Sequence, residues 1–344
     1  MNKHVRAVVL AAVLLASPLG RLWAQQHQTT TTTPTRRETE LLTTIVFITV
    51  ELKEPEPHQP GTSNRSTRPR KPAHLYGTGF LVSVPDSRLT GRAFTYIVTN
   101  RHVAEAIEEN QKGDCTRLPI QKMYVTMNLK EPVNGKRSDL VDITTSPQMH
   151  WYFPDDAASD LAVMPFGIDP KYDARVIGLD QFLTTEILDK QHVVPGDRVL
   201  TGGFFYGYAG LHGIQPILRQ GVLAMLPDGP MTTTTCKSGE VYLADVHIIP
   251  GNSGSPIFIV PALSMGANVT LGGVPNTFGL LGVVSGYMQE TEELTLKAST
   301  IWKGSVHANS GIAVVVPAQQ LRDLLQSSAI QRLRDEAVEQ HLSH

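Results

Sequence analysis

The stretch "ADVHIIPGNSGSPIF" (residues 244–258) sets a run of small residues between two apolar segments. In a chain otherwise written as packed strands, it presents Ser253 inside a glycine-rich turn. A serine hydroxyl is a poor nucleophile unless a base takes its proton and donors stabilise the oxyanion that forms. Glycines let backbone N–H groups reach a shared concavity, because no Cβ blocks the approach. The N–H groups of Gly251 and Ser253 can then converge on one oxygen. Ser253 reads as nucleophile and oxyanion-hole donor together. Taken alone, the same residues read equally well as a tight turn between "VYLADVHII" and "PIFIV".

A nucleophile needs a base. Of the 12 histidines, His102 follows a strongly apolar strand in "YIVTNRHVAEA" (96–106). A histidine at a strand end is held by rigid backbone and can still face a cleft. The base needs an orienting carboxylate. "SDLAVMPF" (159–166) puts Asp160 at the mouth of a buried strand, where it is costly unless it accepts hydrogen bonds. A histidine N–H is a suitable donor. Asp155 and Asp156 sit in a Pro/Ala-rich loop and read as solvated.

The surrounding pattern is that of an all-β chain. β-branched and apolar runs bounded by turn residues predict strands at 43–52, 77–84, 93–100, 122–129, 139–144, 161–166, 197–206, 216–226, 240–249, 256–260, 279–287 and 311–316. "RHVAEAIEEN" (101–110) reads as a short helical turn. Only residues 317–340 change period: Leu321, Leu324, Leu325, Ile330 and Leu333 recur at helical spacing after Pro317. With 28 Gly and 23 Pro among 344 residues, the composition suits turn-rich strands better than a helical bundle. A net charge of −2 gives no overall field for nucleic acid or an anionic membrane. No His-Glu-x-x-His, Cys-x-x-Cys or phosphate-cradling loop is present, so no metal and no cofactor are expected.

Lys3 and Arg6 precede the apolar run Ala7–Ala16, and Pro18, Gly20 and Ala24 follow it. Residues 1–24 read as a signal peptide, which implies an exported protein, periplasmic or secreted; a short membrane anchor is the other reading. No later segment is long and apolar enough to span a bilayer. Residues 25–40 read as a flexible Thr-rich linker, and 53–75 as a long exposed loop carrying Arg65, Arg68, Arg70 and Lys71. Asn64 and Asn268 begin glycosylation sequons. Cys115 and Cys236 can pair outside the cytosol or remain as two free thiols.

The order His102, Asp160, Ser253 is that of the chymotrypsin arrangement. The chain resembles trypsin-like (chymotrypsin-fold) serine proteases, and among these the HtrA/Deg-type catalytic domain. The stretches that carry the likeness are "GTGFLVS", "YIVTNRHVAEA", "SDLAVMPF", "GDRVLTGGFFYG", "LRQGVLAML", "ADVHIIPGNSGSPIF", "LLGVVSG" and "GIAVVVPAQQL". The resemblance implies two perpendicular six-stranded antiparallel β-barrels, at 41–185 and 186–317, with a C-terminal helix over 318–344. It implies that Ser285 helps to hold Asp160. It also implies that the strand through Val284, Ser285 and Gly286 pairs with an extended or unfolded polypeptide, and that His247 lies near the floor of a specificity pocket. Ser255 departs from the family, which usually has glycine there, and is expected to narrow the leaving-group side. Too few residues follow Pro317 for a PDZ domain, and the sequence sets no oligomeric state. The implied activity is an exported serine endopeptidase working through an acyl-enzyme. A non-catalytic homologue that binds extended peptides is the alternative.

Overall fold

A computed structural model describes residues 40–53, 73–109, 114–146, 149–206, 208, 210, 213–232, 236–260, 278–297 and 301–342. The expected leader, the linker before Glu40, the basic loop with Arg65, Arg68, Arg70 and Lys71, and both sequons lie outside the described residues.

The β-branched run at Ile45–Leu52 forms strand β1. β2 (His74–Pro85) and β3 (Ala93–Thr99) follow, then a single helical turn, α1 (Arg101–Ala104). A small hairpin joins β4 (Ile107–Glu109) to β5 (Cys115–Arg117). β6 (Ile120–Val133) and β7 (Lys136–Asp142) meet at Asn134–Gly135, where φ values of 51° and 76° give the left-handed pair that a two-residue hairpin turn requires. β8 (Ala162–Pro165) and β9 (Ile177–Gly178) complete this half. The strands order as β7-β6-β1-β2-β3-β8, with β9 added parallel to β2. Among the described residues no ladder joins β7 to β8. This half is thus a sheet wrapped on one interior.

Successive residues of a strand face opposite sides, and β2 uses both. Leu81 enters the interior of the first sheet with Ile48, Ile97, Val125 and Met164. Phe80, Val82 and Val84 face a second core, shared with Phe258, Leu280 and Val316 of the second half.

The second half begins at α2 (Thr185–Lys190), whose first turn is capped by the Thr184 hydroxyl accepting from the Ile187 N–H. β10 (Arg198–Gly203) and β11 (Ile217–Met225) follow, then the short pair β12 (Met231–Thr232) and β13 (Ser238–Gly239). β14 (Tyr242–Asp245), β15 (Pro256–Ile259), β16 (Gly279–Lys297) and β17 (Ile301–Pro317) complete it. They close a six-stranded barrel in the order β10-β11-β14-β17-β16-β15. Its interior holds Val199, Leu223, Ile257, Leu281, Val284 and Val315. The separate strands expected at 279–287 and 311–316 belong to one long hairpin, paired from Gly282–Pro317 out to Lys297–Ile301.

The C-terminal helical segment breaks into α3 (Ala318–Leu325) and α4 (Ser328–Leu342). Leu321, Leu324, Leu325 and Ile330 pack on the shared core, as their spacing predicts. At the break, buried Arg334 donates through Nη1 to the Leu325 carbonyl at 2.8 Å and to the Tyr96 hydroxyl at 3.3 Å. A cation there satisfies an orphan carbonyl and suits the negative end of α3. No helix among the described residues is long and apolar enough to cross a membrane.

Candidate active site

Asn100 follows β3 and stands at the N-cap of α1, where the first amides of the turn have no helical acceptor. One of them is used. The His102 backbone N–H donates to Asp160 Oδ1 at 2.9 Å, while His102 Nδ1 lies 2.7 Å from Oδ2. Asp160 is fully buried, and its ring partner keeps 17% of its side-chain surface exposed. Facing a carboxylate, Nδ1 carries the proton, which leaves Nε2 as the basic nitrogen. Ser285 Oγ donates to the same Oδ2 at 2.5 Å, and Asn100 Nδ2 donates to the Asp160 carbonyl at 2.9 Å. Three donors thus meet the two oxygens of a buried acid, the condition under which such a charge is tolerated.

The serine loop is held as firmly. Gly251 and Gly254 take φ values of 97° and 88°. A Cβ on Gly254 would stand 1.9 Å from the Thr78 carbonyl oxygen, and one on Gly251 would stand 2.7 Å from the Phe204 ring. Only glycine fits both the backbone and the space. The Asn252 N–H donates to Ile249 O, Gly254 N–H to Val284 O and Ser255 N–H to Asn252 O. No hydrogen bond among the described residues occupies the Gly251 and Ser253 amides. Asn252 braces the loop from both ends of its side chain, accepting from the Ile249 N–H and donating to Phe204 O at 2.7 Å. Ser253 Oγ donates to the Ser285 carbonyl at 3.2 Å. Ser253 and His102 line one cleft of about 320 Å³, together with Gly251.

Past Val284, whose N–H donates to Ser255 O and whose carbonyl accepts from the Gly254 N–H, β16 keeps β17 on one side only. Ser285 sits in a bulge between Val284 and Gly286. The bulge turns its hydroxyl toward Asp160 and leaves its carbonyl toward Ser253. The backbone of Ser285 and Gly286 is therefore an edge beside the serine.

Two expectations need correction. His247 is exposed and so does not form the floor of a pocket. Val246 and Ile248 point into the barrel interior, so the alternation of extended chain turns His247 outward. Ser255 does not narrow the cleft either. Its side chain is 1% exposed and packs where a Cβ on Gly203 would lie 2.1 Å from its hydroxyl. The sequence reading missed Asn100, Thr78 and Asn252. An Asn before a helical turn is a familiar capping signal, but nothing local marks Thr78, which acts through partners far along the chain.

Fold and side chains together define a trypsin-like peptidase architecture: antiparallel β halves that bring a buried acid, a histidine and a serine loop to one place. The chain belongs to the family of the trypsin-like peptidase domain, whose model matches residues 77–259. Membership implies peptide substrates and hydrolase chemistry. A solved structure described as that of Deg5 is similar at 18% identity, covering 72% of this chain and 81% of that one, with a TM-score of 0.38. No curated protein matches the chain.

Proposed function

We propose that the protein is an exported serine endopeptidase that cuts extended or unfolded polypeptides. Ser253 Oγ attacks the scissile carbonyl carbon while His102 Nε2 takes its proton. The C–N bond then breaks, and His102 returns the proton to the leaving amine. Water, deprotonated by the same ring, hydrolyses the Ser253 ester. Asp160 fixes the ring and stabilises its cationic form. The Gly251 and Ser253 amides hold the oxyanion. For this, the Ser253 hydroxyl turns about its own side-chain bonds from the Ser285 carbonyl toward His102. The substrate backbone pairs with the Ser285–Gly286 edge as an added strand, because the Val284 backbone expected to share in it is already bonded to the serine loop.

The observation that carries this reading is the buried carboxylate of Asp160, bonded at once to Ser285 and to His102, which lines the cleft together with Ser253. A structural histidine has no need of such an anchor. The Cys115–Cys236 disulfide, with Cα atoms 6.0 Å apart, supports an oxidising compartment and therefore export. N-terminal sequencing of the mature protein tests that part; a chain that retains residue 1 contradicts cleavage of the leader.

A second reading, a non-catalytic peptide-binding homologue, draws on the Ser253 hydroxyl bonding to Ser285. A fluorophosphonate probe separates the two. Stoichiometric labelling that vanishes in Ser253→Ala supports the enzyme. An unlabelled, folded wild type supports the binding module.

A further inference from the structure

The cleft that contains Ser253 and His102 is walled by apolar and aromatic groups, which Pro250 joins from the serine loop. Leu75 and Tyr76 come from β2, Val103 from α1, Ile107 from β4, and Tyr206 from the loop after β10. None of its lining comes from β16. β16 instead touches the serine loop from the opposite flank, through Val284 O to the Gly254 N–H and Ser285 O to the Ser253 hydroxyl. A polypeptide laid on the β16 edge therefore crosses Ser253 and continues over the aromatic wall. The acyl half lies on β16, and the residues after the cut lie in the cleft.

The wall is preformed. Tyr76 stacks on Phe204 with ring centroids 5.4 Å apart and meets Tyr206 edge-on at 5.6 Å. Phe204 is itself braced by Phe47 at 4.6 Å. Tyr76 also stacks on His74 at 6.2 Å, yet it remains 36% exposed and Tyr206 70%, so both rings keep surface open to solvent. Tyrosines suit such a place, because the ring is apolar and the hydroxyl stays wet. At about 320 Å³ the cleft is at the small end of ligand pockets, with room for one or two side chains. Among the described residues Glu108 is the one carboxylate in the lining, and it is exposed.

We infer that this cleft selects substrates by the residues that follow the cut, taking a large apolar or aromatic side chain there. The inference rests on the proposed peptidase reading. It places specificity on the leaving-group side, whereas the resemblance had pointed to a separate pocket with His247 near its floor.

Acyl transfer tests it. Peptide thioesters varied at the acyl residue load Ser253, and amino-acid amides compete with water for the acyl-enzyme. The amine nitrogen attacks the acyl carbon, the Ser253 Oγ–C bond breaks, and the amine's proton passes through His102 to Oγ. Leucinamide and phenylalaninamide should capture the acyl group about tenfold better than glycinamide or aspartamide, a usual discrimination for an apolar pocket. Tyr76→Ala and, separately, Tyr206→Ala should bring that ratio down toward one. Tyr208→Ala, outside the lining, should leave it unchanged. Equal capture of all amides, or preference for aspartamide, by an enzyme that still labels at Ser253 overturns the inference and leaves the peptidase reading standing. Loss of labelling overturns both.

Discussion

Thr78 Oγ1 donates a hydrogen bond of 2.7 Å to the carbonyl of Gly251, across 173 residues of sequence. The same oxygen accepts from the Phe204 N–H at 2.9 Å, and the Thr78 N–H donates to Ser253 O at 2.8 Å. The Thr78 carbonyl in turn accepts from Thr99 Oγ1. One fully buried threonine on β2 thus grips both sides of the serine loop. Thr78→Val keeps the shape but leaves a buried N–H and a buried carbonyl without partners. It should cost about 1–3 kcal/mol in denaturant unfolding. Turnover should fall about 10–100-fold through kcat as the oxyanion amides drift. Thr78→Ser should restore both, and a Val variant with unchanged kcat would reject the positioning role.

Asp160 and Ser285 give a graded pair of variants. Asp160→Asn places an amide where the Nδ1–H needs an acceptor and favours the wrong tautomer. On the proposed mechanism kcat should drop by about 10⁴-fold with little change in KM. Ser285→Ala removes one of the three donors to the carboxylate and should lower kcat by roughly tenfold, since the two His102 bonds remain. Equal losses in the two variants would contradict the division of roles.

The Ser255 hydroxyl is buried and finds no protein partner among the described residues. Ser255→Ala removes a polar atom that is desolvated without compensation. Stability should rise by about 1 kcal/mol, read as a higher denaturant midpoint at unchanged slope. A loss of stability would show that the hydroxyl is satisfied in solution.

The disulfide closes a sequence separation of 121 residues and fastens β5 to the segment after β12. Removing it frees the unfolded chain more than the folded one. The double variant Cys115→Ser with Cys236→Ser should lose about 2–5 kcal/mol. β5 pairs with β4, which supplies Ile107 to the cleft. The amide discrimination described above should therefore weaken as well. A reduced protein as stable as the oxidised one would remove the bridge from the account of stability.

Much of this molecule was legible in one dimension because strands announce themselves locally. Runs such as "IVFITVEL" and "AFTYIVT" are β-branched, apolar and bounded by polar or turn residues, and they became β1 and β3 nearly as read. The candidate site was legible for a related reason. Glycines flanking a serine, a histidine at a strand end and an aspartate at a strand mouth are each conspicuous against apolar neighbours. Where the reading went astray, the cause was side-chain direction. His247 and Ser255 stand close to Ser253 in sequence. His247 turns outward with the strand alternation, and Ser255 turns inward into a space that Gly203 leaves open.

By itself the sequence determined which segments extend, which residue types can do acyl chemistry, and in what order they come. Only the tertiary structure decided that Cys115 meets Cys236, that Thr78 holds Gly251, and that an aromatic wall stands on one flank of Ser253. The physical reason is range. Strand periodicity is set by neighbours one or two residues away, whereas these contacts join residues more than a hundred positions apart. Such contacts exist only once the wrapped sheet and the barrel have packed on their shared core.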